Sequence, residues 1–338
     1  MATVGNLALT MMDYRKRLDP DGSLAFIMEC CAQNNPIMNN IKWMEGNLPT
    51  GIQTTQRIAL PAPSIRVINQ GIDPSKSATK QITDTCMMYE SRSQVDVKLL
   101  KLQSNPEAFR RSEDAAHIEG FAQEVASTLI YGDIDKNPDK FNGIAVRYNT
   151  FAGDKGSVGY QVIDAGFGGS GAVNGSAYLI GFGEHATAGI YPKGTQCGLK
   201  MTDLGEGDAF DEKHRPFRAV TTLFEYNVGM TVRDIRQNAA VRNIDCSALE
   251  SLTDANAKKL IDKFIIAKNR IRNLSQAGTS FGWYVPDAIY DFLETYLLNK
   301  NNVHVVRADL ENGITGIRLG GIPVYKMDAM LTTEAKIG

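Results

Sequence analysis

The sequence predicts a mixed α+β protein, and three stretches carry that prediction. Residues 105–131 have apolar side chains at helical spacing with a single internal glycine, Gly120. Residues 142–235 hold many glycines, the pairs Asn142-Gly143 and Asn174-Gly175, and short β-favouring runs. Residues 46–92 form an extended, Thr-rich segment that is not apolar enough to build a core of its own.

Composition narrows the function classes. The chain has 338 residues, 43% hydrophobic and 22% charged, which is globular and sets aside disordered, collagen-like and membrane classes. That length suits two domains or one elaborated domain. A formal net charge of -2 supplies no basic field for phosphate neutralisation, which disfavours tight DNA binding as the main function. Residues 1–13 lack the pattern of a secretory signal, and the apolar stretch 24–32 is short and interrupted by Glu29, so no membrane span is expected. The five cysteines, at positions 30, 31, 86, 197 and 246, form no Cys-x-x-Cys pair and are odd in number, which fits reduced thiols in a cytoplasmic compartment.

In chain order, Thr10 and Asp13 resemble a helix cap, and residues 19–22 (DPDG) form a turn. Leu24, Ile27, Met28 and Cys31 then fall at helical spacing until Asn34, Asn35 and Pro36 stop that helix. The extended segment opens with turn residues at 46–51, runs as a strand over 52–60, breaks at Pro61, Pro63, Gly71 and Pro74, and returns extended over 79–91. Two such strands alone are marginally stable, so this ribbon is expected to lie on another surface, most simply a second copy of the chain.

Asn105 as cap with Pro106 at the first position starts the long helix, and Gly132 closes it. Ala115, Ile118, Ala122, Val125, Ala126 and Leu129 trace its apolar stripe, and its length comes to roughly 35–40 Å. Within the β-rich region the expected strands include 160–163, 177–180 and 218–232. Residues 243–274 return to helix, with Thr253 and Asp254 starting a well-formed helix whose face is Leu260, Ile261, Phe264, Ile265 and Lys268. A further helix covers 286–298, and strands close the chain at 303–306, 317–319 and 323–327.

No catalytic constellation emerges, so the chain is not expected to be an enzyme or to carry a cofactor or metal. The glycines at 166, 168 and 171 match a dinucleotide pattern, but turn and strand residues follow where a helix is required. Asp133, Asp135 and Asn137 open like a calcium loop, yet Pro138 and Ile144 occupy the positions that need Gly and Glu. None of His117, His185, His214 and His304 sits in a metal-binding spacing, although Glu184-His185 is a pair to watch. Cys30-Cys31 reads as core packing on a helix. The acidic run from Asp203 to Glu212, followed by Lys213, His214 and Arg215, reads as a solvated hairpin tip or a subunit contact.

Several short motifs, in order, resemble the major capsid proteins of short-tailed double-stranded-DNA phages of the epsilon15 type. They are RLDPDG at 17–22, EGNLPTG at 45–51, PSKS at 74–77 with TDTC at 83–86, and SED at 112–114 leading through IEG at 118–120. YPKG at 191–194, DLG at 203–205, VRD at 232–234 and NID at 243–245 follow, so the resemblance spans about residues 15–245. It implies the HK97-like capsid fold: an amino-terminal arm (1–45), an extended loop (46–92), a peripheral domain (93–140 and about 300–338) with its spine helix at 106–131, and an axial domain (about 141–300).

The implied function is a coat subunit that self-assembles into the pentamers and hexamers of an icosahedral head enclosing packaged DNA, a component of the virion put together in the host cytoplasm. The alternative is an encapsulin-like nanocompartment shell protein. Implied partners are further copies of the chain, a portal, a decoration or cement protein, and DNA held only by weak non-specific proximity. A separate scaffolding protein is expected because only about 45 residues precede the loop. Arg57, Arg66, Lys76, Lys80, Asp84 and Arg92 are candidates for pairing between subunits. Gly46, Pro49, Gly51, Pro61, Pro63, Gly71 and Pro74 are candidate hinges that let one fold sit in two ring sizes.

Overall fold

The fold is taken from a computed structural model that describes residues 32–102, 105–151, 153–169, 171–211, 213–298, 304–309 and 315–338. The turn at 19–22, the helix through Leu24 and Cys31, and the packing of Cys30-Cys31 lie outside the described residues.

The first three strands are β1 (Trp43–Glu45), β2 (Gly51–Ala59) and β3 (Ala78–Asp96). The middle of the chain adds β4 (Val162–Phe167), β5 (Ala172–Phe182), β6 (Thr187–Tyr191), β7 (Leu199–Phe210), β8 (Pro216–Val232) and β9 (Asn238–Asp245). The last are β10 (Ser280–Val285), β11 (Val305–Asp309), β12 (Thr315–Leu319), β13 (Ile322–Lys326) and β14 (Glu334–Ala335). They connect in the order β11-β12-β13-β10-β5-β6-β8-β3-β2, with β7 on the free side of β8 and β9 beside β5.

Helices cover both faces where the sheet is deepest, and the period-two alternation of strand side chains divides the core accordingly. Tyr178 and Ile180 of β5 face the cluster built on the long helix Pro106–Tyr131, with Val125, Leu129 and Phe224. Ala177 and Leu179 face the opposite cluster, where Trp283 meets Phe264 of the helix Asp254–Arg270 and which Leu293 of the helix Asp287–Tyr296 joins. Residues 177–180 are therefore apolar at successive positions because both sides of the strand are buried.

The long helix spans the predicted residues, and the Asn105 side chain accepts a hydrogen bond from the Ala108 N–H at its start. Its apolar stripe needs correction. Val125, Ala126 and Leu129 are buried as expected, but Ala115 and Ile118 are exposed and Ala122 is half-buried. In that half the helix meets the sheet through Arg110, His117 and Phe121, because the sheet presents hydroxyls there. Arg110 donates to Thr222 at 3.0 Å, and His117 shares a hydrogen bond with Ser91 at 2.8 Å while stacking on Phe224.

The helix expected from residue 243 begins only at Asp254. Asn243 to Asp245 belong to β9, which fills the slot between β4 and β5. Tertiary pairing outweighs local propensity here. Thr253 stands at the N-cap position without a side-chain cap bond, and Ala257 and Ala267 join Leu260, Ile261 and Phe264 on the buried face. The glycine-rich loop before residue 172 leads into β5 rather than a helix, in keeping with the reading that set aside a dinucleotide site.

Candidate functional site

β3 is the structural pivot of the candidate site. Its 19 residues serve two partners: the first part pairs with β2 from Ala78↔Ala59 to Thr85↔Gly51, and the second pairs with β8 from Cys86↔Gly229 to Asp96↔Ala219. The β2–β3 ribbon is thus an outward continuation of a strand rooted in the central sheet. Nine residues of β2 extend about 30 Å. Residues 60–77 continue beyond the paired part, all of them exposed.

The base of the ribbon is held tightly. Ile52 and Asp84 are cross-strand partners on the face toward the body, and both are buried. Arg147, on the short helix Ile144–Arg147, places its Nη2 atom 2.7 Å from Asp84 Oδ1 and also donates to the Asn142 and Met230 carbonyls. Gln56 donates to the carbonyl of Arg233 at 2.7 Å, and Asn47 and Gln53 exchange two hydrogen bonds of 2.8 Å. Burial, with a further contribution from the Asp84 carboxylate, pushes the Cys86 thiol up to about 12.

Two of the candidate hinges sit at points of close backbone approach. A Cβ at Gly46 would lie 2.3 Å from the Gly51 carbonyl oxygen, and one at Gly51 would lie 2.1 Å from that of Asp84. These glycines lie where the ribbon passes close to its base, a space a side chain would fill. Pro61, Pro63, Gly71 and Pro74 lie in the exposed part, where a Cβ at Gly71 would meet nothing within 4 Å.

Among the candidate pairing residues, Asp84 also needs correction. It is 5% exposed and already joined to Arg147 within the chain, so it offers no free charge to a neighbour. Arg57, Arg66, Lys76, Lys80 and Arg92 are exposed. Asp203, Glu206 and Asp208 lie along β7 toward the β7–β8 hairpin end, where Asp211 pairs with Arg215 at 2.6 Å and Arg218 with Asp208 at 3.3 Å. The Gly205 N–H and Arg110 hold the Asp203 carboxyl below its usual range.

The ribbon also carries exposed aliphatic side chains that the sequence reading did not single out. Ile58, Leu60, Ile65, Val67, Ile68 and Ile72 are 55% to 93% exposed. The signal stood in residues 58–72, where Ile58, Leu60, Ile65, Val67, Ile68 and Ile72 flank Pro61 and Pro63. No group of three or more His, Cys, Asp or Glu among the described residues is placed to hold a metal ion. No helix among them is long and apolar enough to cross a membrane.

A long helix on one sheet face and an outlying ribbon continuous with that sheet is the architecture that comparison with known proteins recovers. The family model for major capsid protein GP7 matches residues 19–338. The chain belongs to that family. The major capsid protein described here is also similar to a chain in the structure of bacteriophage epsilon15 derived from electron cryomicroscopy. The two share 26% identity at a TM-score of 0.76, covering 100% of this chain and 99% of that one.

The bacteriophage JBD30 capsid shares the fold at a TM-score of 0.50 and 10% identity, over 89% of this chain and 93% of that one. The encapsulin complex of Synechococcus elongatus is similar at a TM-score of 0.42 and 11% identity, over 71% of this chain and 97% of that one. No curated protein sequence matches. The capsid protein therefore has the HK97-type fold, is a structural component of phage heads and the virion capsid, and assembles with copies of itself into an icosahedral shell.

Proposed function

We propose that the β2–β3 ribbon is the element through which one capsid subunit grips the next. The observation that carries this reading is the tip: six large aliphatic side chains stand exposed on a segment that no surface covers among the described residues. Burying an aliphatic side chain contributes about 1.5–3 kcal/mol, so covering several of them supplies on the order of 10 kcal/mol per contact. Many such contacts closed into a shell act together, and linked weak contacts persist where single ones exchange.

In this reading residues 46–92 are the extended loop, 93–140 with about 300–338 the peripheral domain, and about 141–300 the axial domain whose copies meet in pentamers and hexamers. Residues 1–45 are the amino-terminal arm. Arg57, Arg66, Lys76, Lys80 and Arg92 supply pairing charges at the contact, and Pro61, Pro63, Gly71 and Pro74 supply adjustment between ring types. Pro49, beside the anchored glycines, belongs to the same base. Scaffolding protein, portal, decoration protein and packaged DNA complete the partners, assembly takes place in the host cytoplasm, and the subunit catalyses no reaction.

The test replaces residues 57–80 with a short Gly-Ser connector. This keeps Ile52, Asp84 and Met87, whose burial makes a longer deletion a folding defect. Circular dichroism is expected to show folded subunits, and electron microscopy no closed shells; regular shells from the shortened chain would overturn the reading. Ile65→Asp with Ile68→Asp, both at exposed positions, is expected to give the same loss of shells with unchanged folding.

A further inference from the structure

The helix Asp287–Tyr296 is apolar on more than its buried side. Ile289 and Leu293 belong to the core and are fully buried. Ala288, Phe292 and Tyr296, spaced four residues apart, form a second apolar row that is only half-buried. This row lines a cleft of about 920 Å³, where the Phe292 and Tyr296 rings stack with centroids 6.1 Å apart. Leu249, Leu252 and Ala257, from the turn Leu249–Ser251 and the start of the helix Asp254–Arg270, line the same space.

Cys246 also lines the cleft. Burial, followed by the carboxylates of Glu334 and Asp245, pushes its thiol up to about 11, so at neutral pH it adds uncharged surface. Thr295 and Thr332 contribute hydroxyls. An aromatic and aliphatic cleft of this size, with a few polar groups around it, is the usual form of a small-molecule site.

The charges at the opening have one sign. Asp254, Asp287 and Asp291 line the cleft and are exposed, and no Lys, Arg or His is among its lining residues. Two of the three are already engaged within the chain, Asp287 by Lys326 at 3.2 Å. Asp291, one turn along from Asp287, has no ion pair or side-chain hydrogen bond among the described residues. A single uncommitted carboxylate beside a large apolar surface calls for a single positive charge on an apolar body.

We propose that this cleft binds a small organic amine, with Phe292, Tyr296, Leu249 and Leu252 taking its apolar body and Asp291 its ammonium head. The site lies away from the ribbon and does not depend on how one subunit grips the next. Its lining comes from residues 246–257, 287–298 and 332, so an occupant ties three separate stretches together and raises the thermal midpoint of the subunit.

Three compounds with one body and different heads separate the two contributions. Biphenylmethylamine is cationic at neutral pH, biphenylmethanol neutral and biphenylcarboxylate anionic. Free full-length subunits are titrated with each, and modification of Cys246 by methyl methanethiosulfonate is followed by mass spectrometry of its peptide. The amine is expected to protect Cys246 at about one-third of the concentration the alcohol needs, and the carboxylate to protect it least. Asp291→Asn should bring the amine level with the alcohol, and Phe292→Ala should weaken all three.

No protection, equal protection by the three heads, an amine preference that survives Asp291→Asn, or full protection in folded Phe292→Ala subunits would overturn the assignment. If Phe292→Ala does not fold, Asp291→Asn, at an exposed position, decides alone. If Cys246 resists the reagent in free subunits, the same ranking is read from the rise in thermal midpoint. Cys246 that reacts in free subunits but is shielded in assembled shells without any added compound would mean that a second copy fills the cleft, and this too refutes the amine site.

Discussion

The Arg147 guanidinium lies 2.7 Å from the Asp84 carboxylate, joining the short helix after the spine to the base of the ribbon. Asp84 is 5% exposed, and its second oxygen, Oδ2, has no hydrogen-bond partner within the described residues. The pair fixes where the ribbon leaves the body. Removing Arg147 strands a buried carboxylate, so Arg147→Ala is expected to cost about 3–5 kcal/mol in urea unfolding of unassembled subunits. Hydrogen exchange across residues 51–56 should accelerate with it. Unchanged stability and exchange would show that Gly46, Gly51 and Gln56 suffice to anchor the ribbon.

A second buried pair fastens the carboxy-terminal strand. Glu334 accepts from Arg242 at 3.1 Å and from the Tyr131 hydroxyl at 2.7 Å, and Arg242 also donates to the carbonyls of Ala145 and Tyr148. Both charged side chains are 7% exposed. Glu334→Ala should therefore lower stability by about 3–5 kcal/mol, again by urea unfolding of free subunits. A loss below about 1 kcal/mol would mean that water replaces the carboxylate at little cost.

Along the long helix, position decides severity. Leu129 is fully buried, and Leu129→Asp puts a charge into the core without a partner. The expected outcome is insoluble protein on expression, and soluble, assembling subunits would contradict the buried face. Asn105→Ala removes only the cap and should cost about 1 kcal/mol, seen as a lower denaturation midpoint with shells still formed.

Stability should fall on the alkaline side. Burial raises the Tyr148, Tyr178 and Tyr284 hydroxyls above their ordinary value of 10.0, and it lifts the Cys86 thiol from 9.0 to about 12. In the unfolded chain these groups release their protons near 9 and 10, while the folded chain retains them. Their contribution is whole below about pH 9 and is lost as pH rises from there through the folded values. Each group ionised only in the unfolded state tilts the curve by about 1.4 kcal/mol per pH unit. Urea midpoints measured from pH 7 to 11 should hold to about 9 and then decline; a flat profile would mean that these groups are reached by solvent.

Much of the element map was legible from local chemistry. Asn105, Pro106 and Gly132 bracket the long helix because capping, a preset φ and termination act within a few residues. Pro61, Pro63, Gly71 and Pro74 likewise keep residues 60–77 out of regular pairing. The stripe was legible only in part. Ala115 and Ile118 follow the helical period, yet the side chains that meet the sheet there are Arg110, His117 and Phe121, because Ser91 and Thr222 lie opposite them. Asp84 looked like a surface charge since nothing near it in sequence announces Arg147, 63 residues away.

Periodicity, caps and breakers by themselves determined that this protein has a long helix, a glycine-rich β region and a ribbon with no core. Those features arise from interactions a few residues apart, which the order of residues encodes directly. The tertiary structure alone decided that the ribbon continues a central strand, that Asp84 and two glycines lie at its base, and that part of the long helix's apolar stripe faces solvent. Those outcomes depend on which distant segments compete for the same buried space, and that competition is settled only when the whole sheet closes around its two larger cores.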